Sequence, residues 1–357
     1  MEALKPIYEL TIAGKNITED VSPFVSSVEY IDRLEDGSDE VSLVFDDIAG
    51  LWHSDWYPQQ GDKLTLKIGY AGAMMDCGLF EIDEIELRGA PDTLTVKALA
   101  SAVMSEMRTQ NSVAYENQTM RQIAQNIATK HGLRLTGDTS KLQDITVDRR
   151  TQNDETDLSF LANLAKEFGF IFSSRGDQLV FLNPEELENR DPVLLFHREN
   201  VSNYSFRDRT SETFQSAEIS RRDVRTNQVQ KWRIETSGNT TKKDTLIVGG
   251  RVENSSQAEA KAKGAMRCAN KDKLTGNFTT DGIPLLVSGV NIELYGFGSF
   301  SGKWTVKESS HKISVDSGYT TAVSIRKGPY PRTVQPAQST ASATETEVNW
   351  AKIIGLM

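Results

Sequence analysis

At 357 residues the chain is long enough for two or three domains of ordinary size, with 38% apolar residues available for their cores. Its formal net charge of -10 argues against a surface that holds nucleic acid by neutralising phosphates. No stretch approaches the roughly 18 uninterrupted apolar residues of a membrane span, and Met1–Pro6 has no secretory apolar run, so a protein folded inside the cell without a membrane anchor is expected.

From about Pro6 to Ala100 the pattern is that of short strands. Ile7–Ile12, Ser26–Arg33 and Val41–Phe45 alternate apolar and polar residues, with a turn signal at Glu35-Asp36-Gly37-Ser38. A short helix is expected over Asp46–Trp52. A hairpin follows, Gly61–Ile68 and Gly78–Glu84, and Leu94–Ala98 completes the sheet.

The middle changes period. Met120, Ile123, Ala124, Ile127 and Ala128 share one helical face, with Asn117 as N-cap and Gly132 beyond the end. A second helix carries Leu158, Leu161, Leu164, Ala165 and Phe168, capped by Asp154 or Thr156 and stopped at Gly169. A hairpin of Phe170–Phe172 and Leu179–Phe181 follows, making a compact α+β insert.

From Val193 the chain returns to strands, expected at 201–207, 214–220, 229–235, 245–248, 285–295, 304–313 and 319–325. One helix, 257–273, opened by Ser255 or Ser256, interrupts them. Its Ala258, Ala260, Ala262 and Ala265 have little bulk, so it should lie close against a neighbour. The predicted domains are therefore 1–105, 106–192 and 193–330, with a flexible tail at 331–357 that ends in an apolar run.

The strongest signal is a repeat. Gly61-Asp-Lys-Leu-Thr-Leu-Lys-Ile68 with Gly78-Leu-Phe80-Glu-Ile82-Asp-Glu84 matches Gly289-Val-Asn-Ile-Glu-Leu294 with Gly302-Lys-Trp304-Thr-Val306-Lys-Glu308. In both, a glycine opens the strand and the partner reads Gly-x-aromatic-x-β-branched-x-Glu. Gly78, Phe80, Gly302, Trp304 and, further along the second strand, His311 are expected to be structural residues, with Phe80 and Trp304 inward beside Ile82 and Val306.

No catalytic pattern accompanies it. Cys77 and Cys268 stand alone, and His53, His131, His197 and His311 are scattered, so neither a metal nor a cofactor is expected. The run Gly296–Gly302 has the wrong spacing for a dinucleotide loop and reads as a hairpin loop. Carboxylates at 154, 155 and 157 sit at a helix start, and those at 185, 186 and 188 on a surface turn. Arginines 207, 209, 221, 222 and 225, interleaved with Asp208, Glu212 and Asp223, form either a solvated strand face or a salt-bridged subunit contact.

Two segments carry a family likeness. Gly302-Lys-Trp304-Thr-Val306-Lys-Glu-Ser-Ser-His311 with Gly318-Tyr319-Thr-Thr321 resembles the closing strands of phage tail-hub proteins of the late-control-D family. Gln152–Leu161 through Phe168-Gly169-Phe170 is similar to that family's helix before a strand, and to the hub half of type VI secretion spike proteins. The resemblance implies two tail-tube-like antiparallel β-barrel domains flanking a small α+β domain. It also implies a homotrimeric, non-enzymatic baseplate hub of a contractile tail, in a phage, prophage or injection particle. Such a hub joins a hexameric tail tube and other baseplate proteins to a trimeric spike protein. It is folded in the bacterial host cytoplasm and carried in the virion, with an acidic bore that does not hold DNA and no sequence-specific nucleic-acid contact. The alternative is a cell-wall-binding or peptidoglycan-degrading tail protein using the α+β insert. Trp350, Ile353, Ile354 and Leu356 lie at helical spacings on the tail, either as a partner-docking segment or as a frayed terminus.

Overall fold

The computed structural model describes residues 5–35, 37–100, 107, 109–209, 213–222, 229–235, 244–250, 252 and 255–327. The first β region supplies β1 (Pro6–Ile12), β2 (Lys15–Asn16), α1 (Thr18–Val21), β3 (Val25–Arg33), β4 (Glu40–Asp46), β5 (Lys63–Tyr70), β6 (Ala73–Arg88) and β7 (Thr93–Ala100). Alternation fixes which face is buried: in β7, Leu94, Val96, Ala98 and Ala100 all point into a core with Leu43, Phe45, Leu64, Leu66 and Phe80. The helix expected at Asp46–Trp52 is a run of turns instead. The Asp47 carboxylate accepts the amides of Trp52 (2.9 Å) and His53 (3.1 Å), taking donors that a helix would have used.

The insert contains β8 (Gln110–Thr119), α2 (Met120–Lys130), β9 (Arg134–Gly137), β10 (Thr146–Thr156), α3 (Asp157–Glu167), β11 (Ile171–Arg175), β12 (Gln178–Leu182) and α4 (Pro184–Asn189). The cap of α2 is Thr119 rather than Asn117: Thr119 and Gln122 form a reciprocal capping box, while Asn117 takes φ +51° within the strand. Thr156 caps α3 through the Ser159 amide, and Asp154 takes φ +48° two residues earlier. The two units thus repeat one another at constant spacing. Thr119 matches Thr156, Asn117 matches Asp154, and Gly132 (φ +66°) matches Gly169 (φ +75°). β8 and β10 pair antiparallel around Ala114↔Thr151, a register consistent with a local two-fold relation between the units.

The last region contributes β13 (Leu194–His197), β14 (Ser202–Asp208), β15 (Ser216–Arg222), β16 (Val229–Glu235), β17 (Thr245–Val248), α5 (Ser255–Asn270), β18 (Leu274–Asp281), β19 (Asn291–Tyr295), β20 (Gly302–Ser314) and β21 (Gly318–Lys327). The strand expected over 285–295 begins only at Asn291. Before it, Asp32 takes the Ser288 amide (2.7 Å) and Thr321 takes the Ile283 amide (3.0 Å), holding a loop.

Both β regions belong to one 13-stranded sheet ordered β14-β18-β21-β20-β3-β4-β7-β6-β5-β1-β2, with β19 between β20 and β13. In place of two separate barrels there is a single sheet. It does not close on itself among the described residues, because β20 pairs across to β3. Nor is it wholly antiparallel, since β13 pairs β19 in parallel. Each half keeps its own core, the second around Phe196, Phe278, Ile292, Trp304, Val306 and Ile325.

Residues of β15, β16, β17 and α5 stand apart as a three-stranded sheet with its own helix. Ala258 and Ala262 face that sheet, whereas Ala260 packs against the insert. The close approach expected of this helix occurs at Gly264, where an added methyl would lie 2.6 Å from the Gly169 amide nitrogen. Gly264→Ala should therefore force α5 away from α3 and lower stability by roughly 1–3 kcal/mol; a urea midpoint unchanged from wild type would refute the contact.

Candidate functional site

The repeated hairpins are the natural place to look for function, and their pairing is the same from the opening glycine as far as Gly78 and Gly302, beyond which the first hairpin runs on past a bulge. Leu64 opposes Phe80 and Leu66 opposes Gly78 in the first; Ile292 opposes Trp304 and Leu294 opposes Gly302 in the second. The Gly61 amide donates to Ile82 (2.8 Å) and the Gly289 amide to Val306 (2.9 Å), with the return bonds from Ile82 to Asp62 and from Val306 to Val290. Gly78 and Gly302 take φ +101° and +109°, a backbone that side-chain-bearing residues rarely adopt. Four residues on, both long strands slip by one residue at the same point, between Ile82 and Glu84 and between Val306 and Glu308.

The equivalence runs through five strands of each half. The cross-strand row Ile82–Ala98–Val41–Tyr30 corresponds to Val306–Ile325–Gly276–Phe206. Hence β3, β4, β5, β6 and β7 answer to β14, β18, β19, β20 and β21, while the strand beyond them differs in direction, β1 running antiparallel to β5 and β13 parallel to β19. Phe80 is 1% exposed and meets Tyr30 edge-on at 6.0 Å; Trp304 is 1% exposed, lies 5.5 Å from Phe206 and donates its indole N–H to Phe300 (2.8 Å).

The halves meet where Glu308–Ser314 of β20 pair with Ser27–Arg33 of β3. The Arg33 guanidinium donates to the Glu308 carboxylate at 3.2 Å. Asp32, 1% exposed, accepts from the Ser288 amide and hydroxyl and from Arg175 of the insert (2.9 Å), so one carboxylate ties three parts of the chain. His311, fully buried, stacks on Tyr30 at 6.2 Å. Its Nε2 faces the Leu286 carbonyl (3.2 Å), which can only accept, so Nε2 carries the hydrogen and Nδ1 accepts from the Tyr319 hydroxyl (2.9 Å).

With this geometry established, comparison with known proteins is decisive. The family described as phage tail baseplate hub (GPD) matches residues 80–317. The chain belongs to that family, whose members are structural proteins rather than enzymes. It is similar to a probable baseplate hub protein of Escherichia phage 186, 30% identical over 50% of this chain and 46% of that protein. The match thus spans about half the length of that curated relative. In fold it is similar to the 43 kDa tail protein of prophage MuSo2 from Shewanella oneidensis. That likeness has a TM-score of 0.69 at 16% identity, over 90% of this chain and 98% of that one. It is also similar to an Escherichia coli type VI secretion component, c3393, with a TM-score of 0.55 at 14% identity, over 87% and 74% of the two chains.

In this hub chain the remaining candidate residues have structural partners. Asp157 is buried, and burial disfavours its charge. Hydrogen bonds from His131 (2.7 Å), Lys130 (2.8 Å) and Gln152 (2.8 Å) outweigh that and hold its carboxyl below the ordinary range. Glu185 pairs with Arg267 and Glu186 with Lys141. The arginines are divided between two sheets: Arg207 and Arg209 lie on and just after β14 of the large sheet, Arg221 and Arg222 on β15 of the small one, and Arg225 lies outside the described residues. Among the described residues no group of three His, Cys, Asp or Glu could hold a metal. Gly296–Ser301 forms the loop between β19 and β20, and Gly302 opens β20. Trp350, Ile353, Ile354 and Leu356 lie outside the described residues. Asp32, Arg175 and Ser288 form no pattern of their own in the sequence.

Two outcomes follow from this packing. Trp304→Ala, removing a buried indole and its hydrogen bond, should cost about 3–5 kcal/mol in denaturant unfolding; a loss under 1 kcal/mol would contradict the inward placement. The second concerns acid. Burial pushes the His311 pKa down to about 4 from 6.5, against an opposing pull from Asp32. The unfolded chain therefore takes up a proton below pH 6.5 that the folded chain refuses, and stability is lost as pH falls from 6.5 towards 4, by about 3 kcal/mol in all. Asp39, raised to about 6 by burial and by Asp32, acts in the opposite sense and is common to wild type and variant. The loss of stability between pH 7.5 and 4.5 should thus be smaller in His311→Gln than in wild type by roughly 2–3 kcal/mol; parallel profiles would show that His311 does not titrate in this way.

Proposed function

We propose that this protein is the central hub of a contractile-tail baseplate, a homotrimer that joins a six-fold tail tube to a three-fold spike. The observation that carries the reading is the duplication within a member of the hub family: two equivalent sets of strands in one chain, so that three chains present six like modules. A ring of that kind offers a six-fold face and a three-fold face at once, and no catalytic step is required of it. On this reading each half is a tube-like barrel module completed by its neighbours in the ring. The domains divide at about 105, 192 and 330. The net charge of -10 suits a bore through which DNA passes without being held.

The apolar end of the tail, Trp350, Ile353, Ile354 and Leu356, belongs to the same proposal as a segment that docks on the spike or on a neighbouring subunit. The test is deletion of the gene from a particle-producing strain, with complementation by the full chain and by a chain lacking 332–357. Electron microscopy should find no complete tails in the deletion, restored tails with the full chain, and tails or spikes lost again with the truncation. Normal tails in the deletion strain would overturn the hub role; normal tails with the truncated chain would remove only the docking segment.

A further inference from the structure

The joint inside the chain is head-to-tail: the distal half of β20, from the second module, adds to the outer edge of β3, from the first. Since the modules are equivalent, each should possess both halves of this joint, and one half of each is left over. In the first module the counterpart of distal β20 is distal β6, Glu84–Arg88. There β7 occupies one side, while β5 reaches only as far as Glu81, with flanking bonds at Ile82. In the second module the counterpart of β3 is β14, which pairs with β18 on one side and ends the sheet on the other. Among the described residues both edges lack a strand partner, and both are exposed: Leu87 is 51% and Tyr204 39% accessible.

We propose that Glu84–Arg88 of one copy adds to β14 of the next, in the register that β20 uses on β3. This rests on the ring-shaped hub reading above and names the surface by which it closes. The register needs no fitting. Glu308 opposes Arg33, Ser310 opposes Ile31, and His311 opposes Tyr30 in the internal joint. Carried through the strand equivalence, Glu84 opposes Arg209, Glu86 opposes Arg207, and Leu87 opposes Phe206. The Asp32-Arg33 pair of β3 recurs in place as Asp208-Arg209.

The chemistry agrees with that register. On one face two glutamates stand opposite two arginines, repeating the internal Arg33–Glu308 ion pair. On the other face Leu87, exposed in the single chain, covers Phe206 of the aromatic group formed with Phe297, Phe300 and Trp304. Slipping the strand by one residue would set the glutamates against Phe206 and Asp208 instead. Because the two edges differ and complement each other, the contact is heterologous and propagates from copy to copy until the ring closes.

The experiment uses the full chain, purified and within assembled tails. Glu86→Cys with Arg207→Cys places two thiols on directly opposed strand positions, within disulfide reach. Mild oxidation should then give covalent multimers that neither single variant gives. In parallel, Glu84→Arg with Glu86→Arg should weaken self-association roughly tenfold or more by setting like charges opposite each other, and adding Arg207→Glu with Arg209→Glu should restore it. Rescue by the exchanged charges separates contact from misfolding. Absence of the crosslink both in solution and in assembled tails, or self-association untouched by charge reversal, overturns this pairing. Either result leaves the hub role standing if the same variants still enter tails, whereas tails that form without the protein would remove the hub role itself.

Discussion

The structure depends on the pairing of β20 with β3. β20 is long because it serves two sheets' worth of neighbours: its first residues pair with β19, and beyond the bulge at Val306 its distal half pairs with β3. Without that second half the two modules would be linked only through the insert and scattered side-chain bonds. Backbone pairing fixes both distance and twist, so the modules are held in one relation rather than as beads on a string. Asp32 reinforces the joint from below. Its carboxylate, removed from water, is stable there only because the Ser288 amide, the Ser288 hydroxyl and the Arg175 guanidinium all point at it. The same three bonds fix the loop before β19 and the position of the insert.

The duplication is strict for five strands of each module and looser elsewhere, β1 running antiparallel to β5 but β13 parallel to β19. The two hairpins keep the same glycines, the same opposed pairs and the same bulge, since each of these sets the direction of a backbone strand. Connections are free to differ. Between β3 and β4 the chain turns within a few residues, while between the equivalent β14 and β18 it inserts a three-stranded sheet and α5. α5 is then clamped between that small sheet and the α+β insert, with Lys261 reaching Glu167 at 2.6 Å and Arg267 reaching the Gly169 carbonyl at 2.9 Å. Additions at turns leave the sheet's hydrogen bonds untouched, which is why the second module tolerates one of this size.

Much of this fold is legible in the sequence, for a definite reason. Half-buried strands such as β5, β7 and β20 alternate apolar and polar residues, and positive-φ positions demand glycine, so the repeated hairpin stands out in the order of residues alone. The ribbon of β8 and β10 is not legible. Its residues, such as Gln110-Asn-Ser-Val-Ala, are polar and exposed on both faces, so no period of two appears. β13 escapes because it has only four residues, and β18 because its buried positions Gly276, Phe278 and Thr280 include a single large apolar side chain. The separate packing of β15–β17 cannot be read because its strands have the same composition as those of the large sheet. The Asp-Arg pair at 32–33 and 208–209 is the available clue that β3 and β14 are equivalent, and it is too short to notice alone.

The joint also sets a condition on how the chain is made. Arg33 and Glu308 are separated by 275 positions, so β3 leaves the ribosome long before its partner exists. At about 5–20 residues per second, the interval is on the order of 15–55 s. Through that time β3 has an open strand edge, the kind of surface that captures stray β-strands in a crowded cell, and the core beneath it lacks Tyr319 and Ile313. The charges along that edge, Glu29, Asp32 and Arg33, are well placed to keep it unoccupied. A nascent chain stalled shortly before Gly302 would carry the hazard at its greatest, which makes the order of synthesis, and not only the finished fold, a property that selection on this sequence has to satisfy.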